Sequence, residues 1–173
     1  TFPFEHSLRD APKPLAYFFH CGIIIRGLVR LAQVTNSSEF LEIAVKAGRS
    51  LAEDFAGDQR YHPVIELPGK SPVAYGPQWS RSPGCYQLKS ALAWHDLARA
   101  TGSADFEALY ESAVAAAIKT KDTFLPAGTP EATMDRLHAY GYFLEGMLPL
   151  AGRSDCAAAL AEGVERIAEL VAA

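Results

Sequence analysis

The residues of this chain that could carry chemistry fall in three separate segments, each at the start of a predicted helix. The segments share a richness in His, Tyr and Arg side chains, which is unusual beside apolar helical sequence. The candidates are Tyr17 and His20 in the first segment; Trp79, Arg81, Tyr86 and Gln87 in the second; and Asp135, Arg136, His138 and Tyr140 in the third.

These residue types suit proton transfer next to an acidic group. Histidine changes charge near neutral pH, so we assign catalytic roles to His20 and His138, with Tyr86 as a third catalytic residue. Arginine forks match carboxylates, and aromatic rings stack on sugar faces, so the other residues are assigned to substrate binding. They are Tyr17, Trp79, Arg81, Gln87, Asp135, Arg136 and Tyr140.

Each candidate also has a structural interpretation that the sequence leaves open. His20 fits a core histidine bonded to backbone, and Asp135 fits a first-turn acid favoured by the helix dipole. The Trp79 segment fits a loop packed by its own aromatic rings, with Ser82 as an N-cap and Pro83 in the first helical position. The same residues therefore suit catalysis, plain binding or packing.

The sequence lacks the motifs that are typical of several other enzyme classes. A glycosidase needs two carboxylates facing one bond, and neither Glu66 nor Glu145 has a convincing partner at the predicted helix starts. The chain contains no Gly-rich phosphate loop, no HExxH and no GxSxG. No cofactor or metal is therefore expected.

The composition of the chain excludes several classes of binding partner. The chain has 173 residues and a net charge of -4, without a basic block for nucleic acid or an anionic membrane. The longest apolar run, Cys21–Ile25, is stopped by Arg26, so no membrane span is expected. The three cysteines have no metal-ligand spacing and are expected to be buried, idle thiols. The compartment stays open between cytoplasm and, if an upstream signal has been removed, periplasm or exterior.

Helical periodicity predicts three antiparallel hairpins in a single all-α domain. An irregular lead-in covers 1–14, and two long loops connect the hairpins. The predicted hairpins cover 15–56, 84–123 and 134–173, and the loops cover 57–83 and 124–133.

An internal repeat supports this layout. Leu31–Phe40 aligns without gaps on Leu97–Phe106, and each copy is a helix end, a tight turn and a helix start. Tight turns within hairpins alternate with long loops between them. The long loops should therefore share one face of the array, here called the rim, where the candidate residues gather.

The turn pattern, followed by a long aromatic loop and a helix starting at the rim, resembles the six-hairpin (α/α) toroid superfamily. That group contains glycoside hydrolases, polysaccharide lyases and sugar epimerases. The resemblance implies half of a toroid and a carbohydrate or other small polar ligand, with a lyase or epimerase acting on an acidic sugar. Three hairpins instead of six indicate a homo-oligomer, a missing remainder of a longer chain, or an open array. The alternative functions are a non-catalytic helical-repeat scaffold that binds a protein partner, or a fragment of a larger toroid glycosidase.

Overall fold

The computed structural model describes residues 14–58, 61–125 and 130–172. Over these residues the chain forms helices that pair as three consecutive hairpins, which confirms the expected all-α, half-toroid fold class. The expected lead-in lies outside the described residues except for Pro14. The helices are α1 Phe18–Thr35, α2 Ser38–Asp54, α3 Leu88–Thr101, α4 Ala104–Thr120, α5 Pro130–Met147 and α6 Ser154–Ala172.

Two helix starts differ from the prediction. Helix α3 begins at Leu88 rather than at Gly84, because a 3-10 turn over Cys85–Gln87 precedes it. Helix α5 begins at Pro130, four residues inside the stretch expected to be loop. Proline is tolerated in a first helical turn, where its missing N–H would have no partner in the helix.

The tight turns end their helices in the left-handed conformation. Asn36 follows α1 with φ 56°, and Gly102 follows α3 with φ 71°. The two residues occupy aligned positions in the sequence, and each N–H donates back to the helix, at Ala32 and Ala98. Ser37 takes the N-cap position of α2, but its hydroxyl makes no capping hydrogen bond.

A small antiparallel sheet corrects the prediction of helix from Leu15 and of an irregular loop after α2. Strand β1 (Leu15–Tyr17) pairs with β2 (Val64–Glu66), which pairs with β3 (Ser71–Pro72). The sheet holds the entry to α1, where the Phe18 N–H donates to the Pro63 carbonyl at 2.9 Å. Pairing between positions so far apart in the chain leaves no local periodic signal.

Helix α3 lies in the middle of the array and packs against α1, α2, α4 and α5. The buried Trp94 indole donates to the Gly48 carbonyl of α2 at 2.9 Å. The buried Tyr110 hydroxyl of α4 donates to the Gly146 carbonyl of α5 at 2.7 Å. These bonds tie each neighbouring hairpin to the next through the core.

Helix α1 has the length and apolar composition of a minimal membrane span, a test that core helices also pass. Its apolar face, including Ile25 and Val29, is buried against α2 and α3. Arg26 on the same helix forms an ion pair with Asp96 of α3, with Nε and Oδ2 2.8 Å apart. In this fold α1 therefore serves as a core helix.

Candidate functional site

Side chains from three distant parts of the chain meet at the rim. They come from the start of α1, from the long loop before α3 and from the third and fourth turns of α5. We call this group the rim cluster, and it comprises Tyr17, Phe19, His20, Trp79, His138 and Tyr142.

Trp79 lies at the centre of the rim cluster. Its ring centroid is 6.3 Å from that of Phe19, 5.1 Å from that of His138 and 6.4 Å from that of Tyr142. The contacts with Phe19 and His138 are edge-to-face, with interplanar angles of 84° and 85°. Such contacts orient the rings as well as burying them.

The α1 side of the cluster carries His20. Its ring centroid is 5.3 Å from that of Tyr17 and 6.0 Å from that of Phe19. Burial lowers the pKa of His20 below the ordinary value of 6.5. The imidazole is therefore neutral at pH 7 and able to accept a proton.

The α5 side of the cluster carries His138 and Tyr142. Their spacing of four residues places both on one helix face, and their ring centroids are 5.7 Å apart. His138 is exposed to solvent, whereas Tyr142 is half-buried. An exposed imidazole beside the Trp79 edge leaves room for a ligand to approach.

A folded loop segment presents Trp79. A 3-10 turn over Trp79–Arg81 is closed by the Gly76 N–H, which donates to the Arg81 carbonyl at 3.2 Å. The Ser82 hydroxyl donates to the Gly76 carbonyl at 2.6 Å, so Ser82 braces this loop. The expected role of Ser82 as the N-cap of the third helix is therefore wrong, because that helix begins six residues later, at Leu88.

Two cations, Arg81 and Lys89, lie over rings of the cluster, and a third, Arg136, lies over the Phe124 ring outside it. The Arg81 guanidinium lies 5.7 Å from the Tyr17 ring centroid, and the Lys89 ammonium lies 4.4 Å from that of Tyr142. Lys89 also pairs with Glu145 at 2.7 Å. The positive groups thus flank the cluster on both its α1 and its α5 side.

Arg136, the third cation, is committed to holding loops. Its guanidinium donates to the carbonyls of Phe124 and Pro77, at 3.2 and 3.3 Å, and lies 5.4 Å from the Phe124 ring centroid. The bond to Pro77 joins α5 to the loop that carries Trp79. Arg136 therefore fixes the spacing between His138 and Trp79.

Tyr86 and Gln87 lie beneath the cluster. Tyr86 is 1% exposed, and its hydroxyl donates to the Ser82 carbonyl at 3.1 Å. Burial raises the pKa of the Tyr86 phenol well above its ordinary value. The Gln87 amide donates to the Tyr61 carbonyl and accepts from the Gly84 N–H. Both side chains are used in fixing the entry to α3.

Tyr140 and Asp135 do not join the cluster. Tyr140 is buried, lies 5.4 Å from Phe143 between ring centroids, and lines a different cleft together with Lys121 and Glu162. Asp135 is exposed at the start of α5. Tyr140, two residues after His138, lies on a different face of α5, whereas Asp135, three residues before His138, shares its face but lies nearer the start of the helix.

Sequence reasoning omitted Phe19, Tyr142 and Lys89 from the candidate residues. Phe19 lies within an aromatic run that is also typical of a core helix. The spacing between His138 and Tyr142 was the available signal for Tyr142. Lys89 gave no signal, because its contact with Tyr142 joins α3 to α5.

Three clefts of the described chain lie outside the cluster. One of about 330 Å³ lies between the ends of α2 and α4 and is lined by alanines, Asp58 and Gln87. None of the three clefts found in the described ranges is lined by His20, Trp79 or His138. The same ranges hold no group of three or more His, Cys, Asp or Glu side chains arranged for a metal ion.

The fold is similar to part of a solved GH76 alpha-mannanase from Bacteroides thetaiotaomicron. The TM-score is 0.53 at 8% sequence identity, and the match covers 78% of this chain and 37% of that chain. The chain thus spans about a third of the mannanase, and the likeness supports an α/α toroid-like fold. No family model and no curated protein sequence matches this chain.

Proposed function

We propose that this chain is part of a carbohydrate-active α/α toroid whose rim cluster binds an acidic sugar. The observation that carries the proposal is the convergence of His20, Trp79 and His138 from three distant segments. Packing alone does not require two histidines and two cations around one group of aromatic rings. A sugar acid requires both an apolar ring surface and positive charge.

The ring surfaces and the cations would contact different parts of the ligand. The half-buried rings of Trp79 and Tyr142 offer an apolar surface for the C–H face of a sugar. The Arg81 guanidinium is held near this surface by the Tyr17 ring, and its fork suits a carboxylate. A uronic acid presents both features on one ring.

Proton transfer would fall to the two histidines. A carboxylate neutralised by Arg81 makes the neighbouring C–H more acidic, so a neutral imidazole can remove its proton. His20 is the base, because burial lowers its pKa and keeps it neutral. His138 returns a proton, either to the same carbon in an epimerase or to the leaving oxygen in a lyase. Tyr86 would act as a positioning residue through its contact with Trp79, with ring centroids 5.0 Å apart.

A binding experiment is the first test of the proposed class of ligand. Titration with a glucuronate oligosaccharide and with a neutral glucose oligosaccharide of the same length compares the two affinities. Arg81→Gln should weaken uronate binding by about tenfold and leave neutral binding unchanged, since a charge-assisted bond is lost. Arg49→Gln, at an exposed position on α2, is the matched control. Equal affinity of the wild-type chain for both sugars contradicts the proposal.

Exchange of the uronate C5 proton with deuterated solvent tests the chemistry. It detects proton removal whether an epimerase or a lyase follows. The double variant His20→Ala with His138→Ala should abolish exchange, and a His62→Ala control should retain it. Full exchange in the double variant contradicts the assignment of proton transfer to both histidines.

A second candidate function, an assembly scaffold, is favoured by the distribution of exposed apolar side chains. Among the described residues, eight of the nine large exposed hydrophobics lie on the first and last hairpins or the turn after α5, and none lies on α3 or α4. The middle hairpin is covered on both sides, whereas the end hairpins each have one open flank. The eight exposed hydrophobic side chains are Ile24, Leu31, Val34 and Ile43 at one end of the array, and Met134, Leu148, Val164 and Val171 at the other.

We propose a second copy of this chain as the occupant of these flanks. The first flank of each copy would pack on the last flank of the other and continue the hairpin-to-hairpin packing seen on either side of α3. Sedimentation should show a dimer that Leu31→Glu dissociates, while Ala108→Glu on the exposed face of α4 leaves it intact. A monomer at all concentrations rules out this occupant.

A further inference from the structure

A second cleft lies between α1 and α3, away from the rim cluster. It encloses about 440 Å³ and is lined by Arg26, Arg30, Gln33, Asp96 and Arg99, together with two small or apolar residues of α1. From His20 to Arg30 the helix rises about 15 Å, at 1.5 Å per residue. The cleft therefore lies toward the tight-turn side of the array and shares no side chain with the rim cluster.

The cleft carries an excess of positive charge. Three guanidiniums face one carboxylate, and three minus one leaves two positive charges. Arg26 is neutralised by Asp96 at 2.8 Å. Over residues 14–58, 61–125 and 130–172, neither Arg30 nor Arg99 forms an ion pair, and Arg30 contacts the neutral Gln33 amide at 3.3 Å.

This excess is opposite in sign to the whole chain, whose net charge is -4. Like charges gathered in a cleft repel each other, which disfavours folding unless a counter-charge arrives. Burial lowers the pKa of the neighbouring His95 most; among the charges around it, the Asp96 and Glu107 carboxylates raise this pKa, and Arg99 and Arg26 lower it.

Helix geometry explains the convergence. Arg26 and Arg30 are four residues apart on α1, and Asp96 and Arg99 are three apart on α3, so each pair shares one helix face. Close packing of α1 on α3 is allowed by Gly22, where an added Cβ would lie 2.7 Å from the Ser90 Cα. The two faces therefore border one cleft.

We infer that this cleft is a binding site for an oxyanion, a phosphate, sulfate or carboxylate group, held by Arg30 and Arg99. Asp96 keeps Arg26 oriented and leaves the other two guanidiniums to the ligand. The Gln33 amide can donate to an oxyanion once Arg30 turns from it. This site is independent of the proposed function of the rim cluster.

Calorimetric titration with inorganic phosphate, with sulfate and with glucuronate, each at the same low ionic strength, tests the site. Saturation by phosphate or sulfate identifies a phosphoryl or sulfuryl ligand, whereas glucuronate binding that is lost when Arg30 and Arg99 are replaced identifies a sugar carboxylate. The double variant Arg30→Gln with Arg99→Gln should weaken that binding by about tenfold or more.

The control double variant, Arg49→Gln with Arg166→Gln, removes the same charge from exposed positions on α2 and α6. It should bind all three anions as the wild type does. Equal weakening in both double variants would show a general charge effect and overturn the site. Absence of saturable binding by all three anions would overturn it as well.

Discussion

The Trp79 indole stands edge-on to the His138 imidazole, with ring centroids 5.1 Å apart at an interplanar angle of 85°. This pair joins the long loop to α5, although 59 positions separate the two residues in the sequence. Arg136 reinforces the same junction through the Pro77 carbonyl. The rim cluster is therefore a structural joint as well as a candidate site.

Replacing Trp79 tests that joint. Trp79→Ala should lower the free energy of unfolding by about 1–3 kcal/mol, because a half-buried aromatic loses several ring contacts. Tyr75→Ala, a 56% exposed aromatic of the same loop, should change it by less than about 0.5 kcal/mol. Urea denaturation followed by circular dichroism measures both. Equal losses would show that Trp79 packs no better than an exposed loop residue.

Two glycines of α1 form a matched pair for testing the contact between α1 and α3. Gly22→Ala should destabilise the fold by about 1–3 kcal/mol or more, because the new Cβ meets the Ser90 backbone at 2.6–2.7 Å. Gly27→Ala should stabilise it by about 0.5–1 kcal/mol, since nothing lies within 4 Å and alanine favours helix. Thermal melting reports both signs, and stabilisation by Gly22→Ala would contradict the packing.

The hydrogen bond from Tyr110 to Gly146 can be tested by a conservative substitution. Tyr110→Phe should cost about 1–3 kcal/mol, because the buried Gly146 carbonyl loses its donor while ring packing is kept. Tyr75→Phe removes an exposed hydroxyl bonded to His62 and should have little effect. The midpoint of urea denaturation separates the two variants. An unchanged midpoint for Tyr110→Phe would mean that another donor satisfies Gly146.

Stability should fall in mild acid because of two histidines. Burial lowers the folded-state pKa of His20 and His95 from 6.5, so the unfolded chain takes up protons first as the pH drops. Their neutral forms therefore favour the fold fully above pH 6.5, and this advantage is lost as the pH falls toward the lowered values.

Urea midpoints measured from pH 7.5 down to pH 5 check this dependence. The double variant His20→Gln with His95→Gln should show a shallower decline than the wild type. His138→Gln, at an exposed position, serves as the control. A decline of equal slope in the wild type and the double variant would assign it to other groups.

The three cysteines should be protected in the native chain. Cys21, Cys85 and Cys156 are buried and form no disulfide with one another, as the sequence predicted, and burial raises the pKa of Cys85 to about 12. Reaction with a thiol-specific disulfide reagent at pH 8 should be slow in buffer and complete for all three in guanidinium. Fast reaction of one thiol in buffer would reveal local opening around it.

The sequence by itself determined the helices and their turns. Helical hydrogen bonds join residues four apart, so apolar periodicity and Asn36 or Gly102 at a helix end carry the necessary information locally. The same local rule places His138 and Tyr142, four residues apart, on one helix face. All three hairpins were predictable for this reason, with errors confined to their boundaries.

Only the tertiary structure decided the sheet and the depth of each candidate residue. Strand β1 pairs with β2 across about 50 positions, and no local pattern encodes that register. Tyr86 and Trp79 are both aromatic residues beside the start of α3, yet one lies beneath the cluster and the other at its centre. Burial depends on which distant elements pack above a side chain, and that is a property of the assembled core.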